Sequence, residues 1–145
     1  MSLAAAALFA GCGSSTPAGA KGVRASYSRL LQALAHNDAA TVCALMLPAG
    51  QNEPRSALIK GAHRLATRSG AAAYRRYIAS DCVPEFRDKP DNISGYYRLL
   101  RGSRLGAISV DGPLATAAVT SRNARHTRAT FIEVQGEWRL VIGVE

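Results

Sequence analysis

The chain has 145 residues, with 18 lysines and arginines against 10 acids and a net charge of +8 at neutral pH. Once the leading segment is set aside, about 120 residues remain, a length that suits one domain rather than several. A hydrophobic fraction of 48% supports a core, though a thin one because much of it is alanine, and the aromatic residues do not interleave with the basic ones as a nucleic-acid surface would require.

The first twelve residues run from Met1 through an alanine-rich apolar stretch to the small pair Ala10-Gly11, directly before Cys12. Phe9-Ala10-Gly11-Cys12 resembles the Leu-Ala-Gly-Cys box of bacterial lipoprotein export signals, with Phe9 where leucine is usual. That resemblance implies cleavage before Cys12 and a diacylglycerol on its thiol. No lysine or arginine precedes the run, and it is shorter than the ~15–30 residues of an export signal, as a start site placed too late would leave it. It also falls short of the ~20 apolar residues a membrane-spanning helix needs, so the chain is expected to be anchored rather than spanning. Residues 13–22 (GSSTPAGAKG) are small and polar without apolar periodicity, which reads as a flexible tether. The expected organisation is a signal at 1–11, a tether at 12–22 and a single domain at 23–145. The expected place is the outer face of the bacterial cytoplasmic membrane, in the cell envelope, with no nucleic-acid partner. There the positive charge suits anionic lipid head groups or wall polymers, at about 1 kcal/mol per basic residue near the surface. It equally suits a solvated, arginine-rich surface.

With Cys12 assigned to lipid, Cys43 and Cys82 remain as an even pair in an oxidising compartment, a disulfide candidate. Zinc would need four ligands, usually in close-spaced pairs, and neither cysteine has a histidine within four residues. No metal or cofactor is expected.

The spacing of Val23, Tyr27, Leu30, Leu31 and Leu34 predicts an amphipathic helix over about 22–36. Asn37-Asp38 breaks it, and Asp38 is placed to cap a second, short helix by accepting from the Thr41 amide. That helix carries Val42, Cys43, Met46 and Leu47 and is expected to stop at Pro48. A third begins with Pro54 in its first turn, buries Leu58, Ala62 and Leu65, and meets a stop signal at Gly70. Residues 71–82 resume helical spacing, with Tyr74, Tyr77, Ile78 and Cys82 on one face, so Cys82 points into the core and can meet Cys43. Prolines and charges across 83–102 argue for a loop with a short element around 93–100. The period then changes to two, predicting strands over 105–110, 114–120, 129–134 and 137–144, separated by Asp111-Gly112, a basic loop and Gln135-Gly136. Helices followed by an antiparallel meander make an α+β domain.

This order, closing on Gly136-Glu137-Trp138-Arg139-Leu140-Val141, resembles the nuclear transport factor 2-like superfamily, and more narrowly the small exported lipoproteins of actinobacteria with that fold. Asn37-Asp38, Cys43, Cys82 and the strand phrase 108–115 carry the narrower resemblance. It implies N-terminal helices packed on a curved, mainly antiparallel sheet of four or more strands, cone-like in shape, with homodimerisation through the sheet common among its members.

Enzymes of that superfamily, such as isomerase- and dehydratase-like members, place an aspartate or a His–Asp pair inside the cone. General acid–base work needs such a group buried and reachable. Here Asp38 caps a helix, Asp111 sits in a turn, and Asp81, Asp88 and Asp91 lie around a loop. Glu133 could face either the cavity or solvent. His36, His63 and His126 fall at a helix end, on a polar helix face and in a basic loop. The sequence therefore points to a non-catalytic envelope protein that binds a small apolar ligand or a protein partner, with a cone-cavity enzyme or a purely structural protein as alternatives. Tyr27, Tyr74, Tyr77 and Trp138 are the pocket candidates, although aromatics at such spacing more often simply pack.

Overall fold

A computed structural model describes residues 18–50, 53–121 and 127–144. The signal, most of the tether with Cys12, and His126 lie outside these residues. Helix α1 (Gly19–Ala35) begins three residues earlier than periodicity predicts and buries Val23, Tyr27, Leu30 and Leu34 on one face. It ends where Asn37 takes a left-handed φ of 56°, a conformation asparagine tolerates well. Asp38 caps α2 (Ala39–Leu45), accepting from the Thr41 amide at 3.1 Å and the Thr41 hydroxyl at 2.6 Å.

The helix does not run on to Pro48. Met46–Gly50 is a strand, β1, pairing in parallel with the last strand of the chain, Met46 opposite Leu140 and Gly50 opposite Val144. The apolar Met46-Leu47 pair suits a strand as well as a helix, and the partner that decides between them lies some ninety residues away. Pro48, which cannot donate to a ladder, sits on this edge strand, where that lack is tolerated. Pro54 caps α3 (Arg55–Ala66) rather than lying within it, and α3 ends before Gly70. Thr67 then caps α4 (Arg68–Tyr77), accepting from the Gly70 amide at 3.1 Å.

From α4 the chain passes through a π-helical turn, Ile78–Cys82, into α5 (Val83–Asp88) and then α6 (Pro90–Leu100). The loop expected over 83–102 is thus mostly helix. Pro84 and Pro90 stand in the first turns of α5 and α6, where no intrahelical N–H bond is required and a fixed φ suits the helix.

The remaining strands are β2 (Arg104–Asp111), β3 (Leu114–Thr120), β4 (Thr127–Val134) and β5 (Glu137–Val144). The five strands make an open mixed sheet in the order β1-β5-β4-β3-β2, antiparallel except for β1 against β5. Gln135 and Gly136 both take positive φ, 54° and 77°, in the tight turn that joins β4 to β5. At the other edge, a bulge interrupts β2 between Leu105 and Ile108, and the Arg24 guanidinium donates to the Leu105 and Gly106 carbonyls at 2.8 Å each. The structure is therefore α+β, with helices on a mainly antiparallel sheet.

Strand alternation divides the core in two. On one face Ala115, Ala117, Phe131, Trp138 and Leu140 pack with α1, α2 and the start of α5. On the other, Leu47, Leu114, Ile132 and Val134 pack with α3 and Tyr74 of α4. The second face is thus not simply open: α3 and α4 cover its β1–β5–β4 side, while Ser109, Ala118, Thr120 and Arg128 stay exposed towards β2.

Candidate functional site

The run from α4 to α5 carries the chain from one side of the sheet to the other. Tyr74 belongs to the α3-side core, Cys82 and Val83 to the α1-side core, and Tyr77 and Ile78 touch both. The π turn lies at this crossing and brings Cys82 to Cys43 of α2, where the two form a disulfide with Cα atoms 6.0 Å apart. Both cysteines are buried, so the bridge fastens α2 to the crossing from inside.

The four aromatic pocket candidates divide between the two cores. Trp138 and Tyr27 are in the α1-side core, 1% and 4% exposed. Tyr27 meets the edge of Phe131, and its hydroxyl lies 2.6 Å from Ser103 Oγ. Ser103 gives its own proton to the Leu100 carbonyl, so Tyr27 is the donor. Burial pushes the Tyr27 phenol up, against a smaller opposing pull from the Ser103 bond. Tyr74 stacks on Tyr77 and donates to the Cys43 carbonyl at 3.0 Å. Its phenol, too, is pushed up by burial, against the pull of the nearby Arg139 charge.

Arg139, which the sequence offered only as part of the closing strand, lies 4.7 Å over the Tyr74 ring and is 9% exposed. Alternation puts it on the α3 side, next to Trp138 on the α1 side. Its Nη2 approaches Glu137 at 3.9 Å, while Nε and Nη1 have no hydrogen-bond partner among the described residues. The arginine is held largely by the aromatic face beneath it.

A cavity of about 440 Å³ lies elsewhere, between α3 and the sheet. Leu47, Ile132 and Val141 of β1, β4 and β5 form its floor; Leu58 and Leu65 of α3 form its wall. Ala57, Gly61 and Arg64 belong to a second stripe of α3, beside the buried one of Leu58, Ala62 and Leu65. A Cβ on Gly61 would meet nothing within 4 Å, so glycine leaves the helix wall thin over the groove. Glu53, Lys60 and Arg64 complete its polar lining and are exposed. None of the four aromatic candidates lines it. The small residues at 57 and 61, one helical turn apart, are the signal that could have pointed to this groove, but its floor depends on β1.

Acid–base candidates are engaged or solvated. Asp38 caps α2, Asp111 pairs with Arg55, and the His36 Nδ1 lies 2.8 Å from the Gln32 carbonyl. His63 is exposed, and Glu133, opposite Trp138 on the α1 side, is half-buried. Among the described residues no three of His, Cys, Asp and Glu gather as a metal site, and no helix is long and apolar enough to cross a membrane. Comparisons with family models, curated proteins and solved structures find no match to this chain.

Proposed function

We propose that the chain is a non-catalytic envelope lipoprotein, held on the outer face of the cytoplasmic membrane by lipid on Cys12. Its nuclear transport factor 2-like domain binds a small apolar ligand in the groove beneath α3. The observation that carries this reading is the groove itself. Its volume of about 440 Å³ falls within the roughly 300–1,000 Å³ of small-molecule sites, and its floor and wall are aliphatic. The Phe-Ala-Gly-Cys box and the Gly-rich tether support the anchor, and the buried Cys43–Cys82 bridge suits an oxidising compartment.

Native mass spectra of the protein extracted from its own membranes test the reading. A small-molecule mass in addition to lipid on Cys12, lost when Gly61→Phe fills the groove, is the expected result. A protein that leaves the membrane with a second polypeptide and no small molecule would instead make the domain a partner-binding module.

A further inference from the structure

The geometry points to a ligand class: the groove takes a single-chain amphiphile with an anionic head, a fatty carboxylate being the simplest, with its chain on the aliphatic floor and its head at Lys60 and Arg64. This inference rests on the groove being a ligand site and adds the polarity of what it holds. Lys60 and Arg64 are four residues apart on α3, hence on one side of the helix, with Lys60 at its middle and Arg64 in its last turn. Neither has an ion-pair partner among the described residues, whereas Arg55 at the start of the same helix is paired with Asp111. Glu53, the acid of the lining, precedes the helix, ahead of its N-cap Pro54. The lining therefore carries its cations from the middle of α3 to its last turn, its acid ahead of the helix, and aliphatic side chains beneath. A carboxylate reaching Lys60 and Arg64 would form charge-assisted bonds at the exposed rim, while a chain laid along Leu47, Ile132 and Val141 would leave water.

The test uses the full chain carrying Cys12→Ser, so that no attached lipid competes, and equilibrium dialysis of labelled dodecanoate and dodecanol below their aggregation limits. Dodecanoate is expected to bind roughly fivefold more tightly than dodecanol, in keeping with exposed charge pairs. Lys60→Gln with Arg64→Gln should remove that difference and leave dodecanol binding unchanged. Gly61→Phe should abolish both, and its melting temperature checks that the fold survives; Gly61→Leu is the milder second variant. Equal binding of the two probes, indifferent to the double substitution, overturns the anionic preference and leaves the apolar groove standing. If neither binds, both readings fall. Dodecanoate binding that survives Gly61→Phe but fails with Lys60→Gln and Arg64→Gln would be adsorption at surface charge, and would also overturn the inference.

Discussion

Asp38 shows how one side chain can define an element boundary and record it in a pH profile. Its carboxylate accepts from the Thr41 hydroxyl and then from the Thr41 amide, and these bonds hold its pKa below the usual carboxylate range. A depressed folded-state pKa means the contribution is full above the unfolded value of roughly 3.9 and fades as pH falls through the folded one. Replacing the cap by Asp38→Ala should cost about 1 kcal/mol near neutrality. In denaturant titrations the gap between parent and variant should narrow below about pH 4, as the parent loses its carboxylate. Asp38→Asn, which keeps an acceptor without a titrating group, should lie near the parent at neutrality and lack the acid-dependent loss. A gap that persists unchanged into acid would show that the carboxylate bonds are not what holds the start of α2.

The glycines of α3 and α4 have opposite reasons for being there. A Cβ on Gly61 enters open space, so Gly61→Ala should stabilise by about 0.5–1 kcal/mol through helix propensity alone. A Cβ on Gly70 would lie 2.0 Å from the Arg64 carbonyl oxygen, a backbone atom at the α3–α4 joint, so Gly70→Ala should destabilise by about 2 kcal/mol or more. Thermal melts of the two variants should move in opposite directions. The disulfide acts on the next element along. Cys43 and Cys82 are 39 residues apart, and on the chain-entropy account their bridge contributes about 4 kcal/mol. Reduction should lower the melting temperature by on the order of 10 °C, and Cys43→Ala should abolish that sensitivity. Gly70 also shows where sequence reading runs out: as a bare letter it signals a helix stop, whereas Thr67 and a close backbone approach make it part of the next helix's first turn. The meander was legible because period-two alternation and the Gln135-Gly136 turn are local signals, and the Asp38 cap was legible for the same reason. Strand β1 was not, since its pairing is settled by β5, and α5 and α6 were hidden by prolines that start helices as readily as they end them. The groove inherits that difficulty, since part of its floor is β1.

Across the whole molecule, charge is unevenly placed. Arg55, Lys60, Arg64, Arg68, Arg75 and Arg76 are exposed on α3 and α4, whereas Asp81, Glu85, Asp88 and Asp91 are exposed from the π turn to the start of α6. If lipid on Cys12 holds the domain at an anionic membrane, the α3–α4 stretch, which contains no acid, is drawn to the head groups at about 1 kcal/mol per basic residue that comes close. The two forces separate by salt, because a buried acyl chain is indifferent to ionic strength while exposed charges are screened within about 10 Å at 0.1 M. The parent protein should therefore stay with membranes through a high-salt wash, and Cys12→Ala should be released by it. In low salt the unlipidated chain should still sediment with anionic vesicles and not with zwitterionic ones. Arg68→Glu with Arg75→Glu should reduce that binding by roughly tenfold or more, while Arg87→Glu with Lys89→Glu, on the acidic side, should reduce it much less. Cys12→Ala that resists the salt wash would rule out the lipid as the anchor. Equal losses from the two pairs of charge reversals would show attraction to net charge alone, with no preferred face towards the membrane.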